Sequence, residues 1–294
     1  MAGTSYPPKT ASVKWDNGLG GLKWPILLLY LVLVTSRPCL AVIQYDGGQF
    51  VGWQRQPTGR TVQAEFEAVL ERLMGRRIAA TGAGRTDTGV HALGQAVSFG
   101  VDERWTGDVA GLGRALNGLL PRDIWVAEVH SMCPGFNARR SATARRYRYV
   151  IGTDAASHSP FRRPYEWALG RALEPGPLEA AAATLTGEHD FRGLVAAGAE
   201  RPDYRCRVAL AHWAPRADGT GVTFTIEADR FLHRMVRFLV GTMVDIALGR
   251  RPSQDLPQLL TATDNQAASP PAPPQGLYLE AVTYPRDHYA EVHA

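Results

Sequence analysis

Between Gly82 and Gln95 the chain reads Gly82-Ala83-Gly84-Arg85-Thr86-Asp87-Thr88-Gly89-Val90-His91-Ala92-Leu93-Gly94-Gln95, bringing four glycines, a carboxylate, a guanidinium and an imidazole together. Where a segment is extended, side chains two apart share a face, so Arg85 and Asp87 are expected to point the same way. A guanidinium beside a carboxylate keeps it ionised and oriented. The glycines let the backbone turn sharply and admit a bulky ligand at close range. The chemistry on offer is a presented, ionised carboxylate. A surface turn with an incidental ion pair fits the same spacing equally well. Two other chemistries fall away. Asp87 stands where a dinucleotide fingerprint needs glycine, and Gly-x-x-x-x-Gly-Lys-Ser/Thr is absent from the chain. No second His or Cys lies at metal-ligand spacing from His91, so no metal is expected.

Two further stretches carry charge in a pattern. Read as a strand, Asn137 to Tyr149 places Arg139, Thr143, Arg145, Tyr147 and Tyr149 on one face. Arginines that neutralise phosphates, interleaved with rings that stack on bases, are what an unstacked RNA strand requires. An edge strand armoured against aggregation gives the same pattern, and the residues alone do not separate the two. Arg230, Arg234 and Arg237 fall at i, i+4 and i+7 of a helix expected from Phe231 to Leu248. Without context, that stripe is a solvated face.

The elements that must position these residues follow from periodicity. Leu40–Tyr45 reads as a strand, followed by a Gly47-Gly48 turn and the polar-aromatic Gly52-Trp53-Gln54-Arg55-Gln56. Thr61 is placed to cap a helix whose apolar face is Val62, Phe66, Val69, Leu70 and Leu73, ended by Gly75. A short strand from Ile78 enters the glycine-rich stretch, and Gln95–Phe99 leaves it as another. Asp108 caps the next helix, and Ile124–Val129 closes a β-α-β-β-α-β order. The second half repeats that order. Arg145–Ile151 is a strand, Pro177 opens a helix, and Tyr204–Trp213 with Gly221–Ala228 forms a hairpin across Asp218-Gly219. The long helix to Leu248 and a strand from Leu277 to Tyr284 complete it. The expected fold is α+β: two pseudo-duplicated split βαβ halves, ferredoxin- or RRM-like, with largely antiparallel sheets and a central cleft. The expected boundaries are 38–135 for the N-terminal half, which carries the carboxylate, and 136–294 for the C-terminal half.

The 294 residues carry a net charge of only +4, yet the pI is about 9.1 and the arginines are clustered. Local basic patches on a nearly balanced chain suit an RNA partner better than a membrane surface. Cys39, Cys133 and Cys206 form neither a disulfide framework nor a metal pair, and fit a reducing cytoplasm. Residues 1–37 differ from the rest. The apolar run Trp24 to Val34 is shorter than the roughly 20 residues of a membrane span. Lys9, Lys14 and Lys23 precede it as in a signal peptide, but Arg37-Pro38 stands where small residues should prepare cleavage. A disordered extension or a start-site artefact is expected there in preference to an export signal.

The stretch GAGRTDTGVHALGQAVSF resembles the signature of the TruA-type tRNA pseudouridine synthases. That resemblance implies that Asp87 is the catalytic residue, with Arg85 beside it. ARRSATARRYRY, from Ala138 to Tyr149, is similar to the family's ARFSATARRYRY, which implies an active-site role for Tyr147; Arg140 stands where phenylalanine is usual. FLHRMVRFLVG, beginning at Phe231, resembles the family's FLHHMVRNIVG, so Arg237 is implied to reach the carboxylate, while Arg234 and Phe238 replace the usual His and Asn. The GLYL match places Leu277 near the target base, and GEHDF, from Gly187 to Phe191, is taken as a structural helix end. The resemblance spans residues 40 to about 286. It implies isomerisation of uridine to pseudouridine in the anticodon arm of tRNA, at positions 38–40, by a cytoplasmic homodimer without cofactor or metal. Arg55, Arg139, Arg145 and Arg162 are the expected contacts to the RNA, with Tyr147 and Leu277 against the base.

Overall fold

Cys39, Ala41, Ile43 and Tyr45 alternate onto one buried side of β1 (Arg37–Tyr45), as a half-covered strand requires. The computed structural model describes residues 36–196, 198 and 202–290, so the apolar run at 24–34 lies outside the described residues. Helix α1 (Val62–Met74) starts where Thr61 accepts a hydrogen bond from the Ala64 N–H, and stops at Gly75 in the left-handed conformation (φ +68°). Its Phe66 ring meets Phe99 edge-on at 5.5 Å across the core. The two-residue strand β2 (Thr81–Gly82) and the eleven-residue β3 (His91–Val101) bracket the glycine-rich loop. After the short α2 (Glu103–Thr106), Asp108 caps α3 (Val109–Asn117) through the Gly111 N–H at 2.6 Å, and β4 (Ile124–Ser131) follows.

The second half runs β5 (Ala144–Gly152), β6 (Trp167–Ala168), α4 (Pro175–Ala183), β7 (Gly187–Asp190), β8 (Arg205–Pro215), β9 (Gly221–Ala228), α5 (Met235–Ala247), α6 (Asp255–Leu259) and β10 (Leu277–Thr283). Sequence and structure differ at three places here. Pro175, two residues before Pro177, occupies the first turn of α4, the position where a missing N–H costs nothing. The GEHDF segment is an edge strand, because Gly187–Asp190 finds a ladder on Arg205–Val208. The long helix begins at Met235, since Arg234 adopts φ +60° and breaks the helical path before it. No helix among the described residues is long and apolar enough to cross a membrane.

The strands form one sheet in the order β4-β1-β3-β10-β5-β9-β8-β7, with β2 on β3 and β6 on β5. Within the first half the neighbours run β4-β1-β3-β2, all antiparallel. Within the second they run β10-β5-β9-β8, again all antiparallel. A single parallel pairing joins the halves, with Tyr278 opposite His91 and Leu279 opposite Ala92. So β3 changes its partner along one edge: β2 takes the end near Ser98, and β10 takes the end near His91. Gly94 permits the second contact, because a Cβ there would lie 2.4 Å from the Glu280 carbonyl oxygen. The loop from Ala83 to Val90 leaves the sheet in the gap between these two partners.

Candidate active site

The loop that carries Asp87 is held by its backbone. Trp53 donates its N–H to the Thr86 carbonyl at 3.1 Å. That approach needs Gly52 at φ +108°, where a Cβ would stand 2.6 Å from the same oxygen. The buried Tyr45 hydroxyl and the Thr86 Oγ1 share a hydrogen bond of 2.7 Å. Gln95, fully buried on β3, clamps Gly84 from both sides of its amide: its Nε2 donates to the Gly84 carbonyl at 2.8 Å, and its Oε1 accepts from the Gly84 N–H at 3.4 Å. The Val90 N–H closes the turn onto the Asp87 carbonyl at 3.2 Å. With Thr86 turned inward, the neighbouring Asp87 side chain is directed outward.

It emerges into a cleft of about 800 Å³ whose walls include Tyr147 from β5 and Leu277 from β10. Two nitrogen-bearing side chains approach the carboxylate, one at each oxygen. Arg237 Nη1 lies 3.5 Å from Oδ2, and His233 Nε2 lies 3.5 Å from Oδ1. Arg237 is fixed independently, since its Nε donates to the Ala272 carbonyl at 2.7 Å and only 12% of its side chain is exposed. Burial pulls the Arg237 guanidinium below its usual pKa, and the charge of Asp87 opposes that shift. At this separation the gross attraction is roughly 4 kcal/mol for a site near the surface, enough to orient a carboxylate that no backbone N–H among the described residues binds. Tyr147 is 7% exposed, and its ring packs edge-on against Phe231 at 4.9 Å. Burial, and secondarily the Asp87 charge, holds its hydroxyl well above the usual phenol range, so it stays protonated.

The structure distributes the remaining arginines differently from the sequence expectation. Arg85 lines the cleft but makes no ion pair with Asp87: the loop does not continue as a regular strand, and Arg85 is exposed at the rim. The carboxylate's partners come from the segment before α5 and from α5 itself. Arg139 also lines the cleft, from a turn rather than from the strand. Arg145 borders the cleft, but the residue is only 9% exposed and its guanidinium donates to the carbonyls of Ala83, Arg139, Ala142 and Asp229. It ties three walls together and has little left to offer a phosphate. Arg55 pairs with Glu67, Arg162 pairs with Asp154 and Glu166, and neither lines the cleft. The basic helical stripe does not form, because Arg230 and Arg234 precede the helix, and Arg230 is engaged by Asp203.

Three cleft arginines, Arg85, Arg139 and Arg234, have no carboxylate partner among the described residues. Asp229, the other carboxylate at the cleft, accepts the Arg207 N–H at 2.9 Å. His233 is the site residue that sequence reasoning passed over. It sits four positions before Arg237, a spacing that places two residues on one side of a helix, but the stripe read from the sequence held only Arg230, Arg234 and Arg237. His91, by contrast, is structural: its Nδ1 accepts the Gly47 N–H, its Nε2 donates to the Pro164 carbonyl, and its ring stacks on Tyr278 at 4.9 Å. Among the described residues no group of three or more His, Cys, Asp or Glu is placed to hold a metal ion.

Comparison with known proteins places the chain among relatives. The family described as tRNA pseudouridine synthase matches residues 41–132 and 181–285, a span that includes Asp87, His233, Arg237 and Leu277. Over 242 residues the chain is 38% identical to tRNA pseudouridine synthase A of Myxococcus xanthus, covering 82% of this chain and 90% of that one. It is 40% identical over 255 residues to tRNA pseudouridine synthase A of Moorella thermoacetica, covering 84% of this chain and all of the relative. A third, tRNA pseudouridine synthase A of Geobacillus kaustophilus, is 40% identical over 250 residues, 83% of this chain and 93% of the relative. With most of its length matched and the carboxylate cleft inside the matched region, the chain belongs to the tRNA pseudouridine synthase family.

Proposed function

We infer that this protein isomerises uridine to pseudouridine in the anticodon arm of tRNA, at positions 38–40, with Asp87 as the reacting carboxylate. The observation that carries the reading is the placement of Asp87. It projects from a pinned loop into a cleft, between Arg237 and His233, and Leu277 and Tyr147 line the same cleft. The reaction breaks the C1′–N1 bond, turns the freed uracil and rejoins it through C5. Asp87 acts either at C1′ or on a sugar proton. A uridine within a stem must be flipped into the cleft, at a cost of a few kcal/mol that contacts in the cleft offset. Tyr147 offers its ring to the base. Arg85, Arg139 and Arg234 are the cations available to phosphates at the rim, and their lack of acidic partners favours an RNA over a neutral ligand.

Several finer features belong to the same reading. The halves 38–135 and 136–294 are duplicates of one split βαβ unit, a view supported by their equivalent strand orders. Residues 1–37 are dispensable in this reading, although Arg37 already pairs with Val101 at the start of β1; the family match begins at residue 41. The enzyme works as a cytoplasmic homodimer and needs no cofactor or metal.

Asp87→Asn tests the reading, because it keeps the size of the side chain and removes its charge and basicity. The variant is expected to bind tRNA as the parent does in a filter-binding titration. Tritium release from C5-labelled uridine in a single turnover should fall on the order of 10⁴-fold or more. Release at the parent rate would remove Asp87 from the chemistry.

A further inference from the structure

The isomerisation leaves a proton to be moved. Once C5 has joined C1′, the C5–H bond breaks, its electron pair restores the C5–C6 double bond, and the proton leaves. N1, which departed with its electron pair, takes one proton in return, so no net proton is gained or lost. The cleft must therefore accept one proton near Asp87 and pass it on. Burial holds the Tyr147 hydroxyl protonated, which makes it a poor base for that step. The arginines hold their protons throughout the neutral range. Among the described residues lining the cleft, His233 is the one imidazole, a side chain that can take a proton on a ring nitrogen and give it up again. Its Nε2 stands 3.5 Å from Asp87 Oδ1, and 42% of its side chain is exposed, against 24% for Asp87. It thus touches the carboxylate on one side and water on the other.

We propose that His233 is the proton relay of this reaction: Asp87 takes the proton from C5, passes it from Oδ1 to His233 Nε2, and the imidazolium releases it to solvent. The inference rests on Asp87 being the reacting carboxylate. The environment suits a group that must shed its proton again. Asp87 faces the imidazole from the catalytic loop, and Arg85 lies on the same loop. Arg230, Arg234 and Arg237 stand on its own segment, with Asp229 at the segment's start. Arg139, Arg145 and Tyr147 border the cleft opposite. The segment behind it bonds the His233 carbonyl through the Ala196 N–H, and among its described residues Arg192 is paired with Asp190. One carboxylate in contact and several guanidinia nearby make up its charged surroundings. Arg234 sharpens the arrangement. Its left-handed backbone (φ +60°) turns the chain just after His233, so that His233 and Arg237 reach opposite oxygens of one carboxylate.

The test is the pH dependence of single-turnover tritium release by the full chain, with parent, His233→Gln and His233→Lys compared and tRNA binding measured in parallel. The parent rate should rise with pH through the imidazole range and then level, because the neutral ring is the acceptor. His233→Gln should be slower by about a hundredfold at neutral pH, with that limb gone and tRNA binding unchanged. His233→Lys keeps a cation beside Asp87 but cannot accept a proton at neutral pH, so it should stay as slow as the Gln variant. Added imidazole should restore His233→Ala in proportion to its concentration. Three outcomes overturn the relay: a Gln variant as fast as the parent, a Lys variant that recovers the parent rate, or a uniform loss with the pH limb intact. Asp87→Asn separates the two claims. If it is inactive while His233→Gln is normal, only the relay fails; if Asp87→Asn is active, the catalytic assignment itself fails.

Discussion

Two loops of this molecule carry arginines and acids at short spacing, and they use them in opposite ways. Between Asp154 and Glu166 the charges bind one another. Arg162 donates both terminal nitrogens to Asp154 at 2.8 Å and lies within 2.8 Å of Glu166, a nearly buried carboxylate that Arg216 also engages. Between Gly84 and Val90 the backbone is bound instead, by Gln95 and Trp53, with Tyr45 on the Thr86 hydroxyl, and the side chains of Arg85 and Asp87 are left to the cleft. The first arrangement consumes charge to fix a surface. The second fixes the surface by other means and leaves the charge available. An arginine's capacity to meet a phosphate therefore depends on what already holds it, and not on how many arginines surround it in sequence.

The comparison makes Arg145 a member of the consumed class, and this gives the largest expected effect. Arg145→Ala leaves four carbonyls without their donor, at roughly 1–3 kcal/mol for each that water cannot reach. Urea titration should show a destabilisation of at least about 3 kcal/mol. Arg145→Lys should recover only part of it, because an ammonium cannot span the four acceptors as a planar fork does. Unchanged stability with weakened tRNA binding would move Arg145 into the other class. A smaller effect is expected at the rim. Replacing Arg139 and Arg234 together by alanine should weaken all tRNA substrates alike. The slope of log affinity against log salt should fall by about 0.7–0.9 for each phosphate that is no longer neutralised. Arg162→Ala in the same titration should leave that slope unchanged. The smallest effect belongs to Arg55, which is 57% exposed in its pair with Glu67. Arg55→Ala should change stability by less than about 1 kcal/mol and leave tRNA affinity alone; a drop in affinity there would show that pairing does not withdraw an arginine from the RNA.

What could be read from the sequence was what local chemistry decides. Thr61, Gly75 and Asp108 mark helix ends because a cap depends on residues three or four away, and each is found in that role. The alternation in Ala144–Gly152 correctly put Arg145, Tyr147 and Tyr149 on one face. It could not say that this face is buried, or that Arg146 and Arg148 turn outward to Glu227 and Glu280. The antiparallel α+β character was legible in the order of elements. The ladder that makes Gly187–Asp190 a strand was not, because its partner strand starts only at Arg205, across an intervening loop. At the site, motif similarity pointed to Asp87, Tyr147, Arg237 and Leu277, and the structure brings all four to one cleft. Arg85 and His233 exchanged places as the carboxylate's neighbour for a backbone reason. The loop departs from regular extension after Gly84, and a non-glycine residue in the left-handed region cuts the helix short before Met235.

The parallel seam between β3 and β10 sets the order in which the enzyme can be completed as it is made. Every other neighbour of β3 comes from the N-terminal half, but the strand that pairs with it at His91 is the last one in the chain's described residues. While the ribosome is still working, β3 and β5 each present a bare edge where β10 will lie, and Leu277 has not yet closed the cleft. Bare edges invite wrong partners, and pairings so distant along the chain form slowly. Asp87 is thus synthesised early, on a loop its own half can pin, and waits for its walls until the final strand slides between the halves.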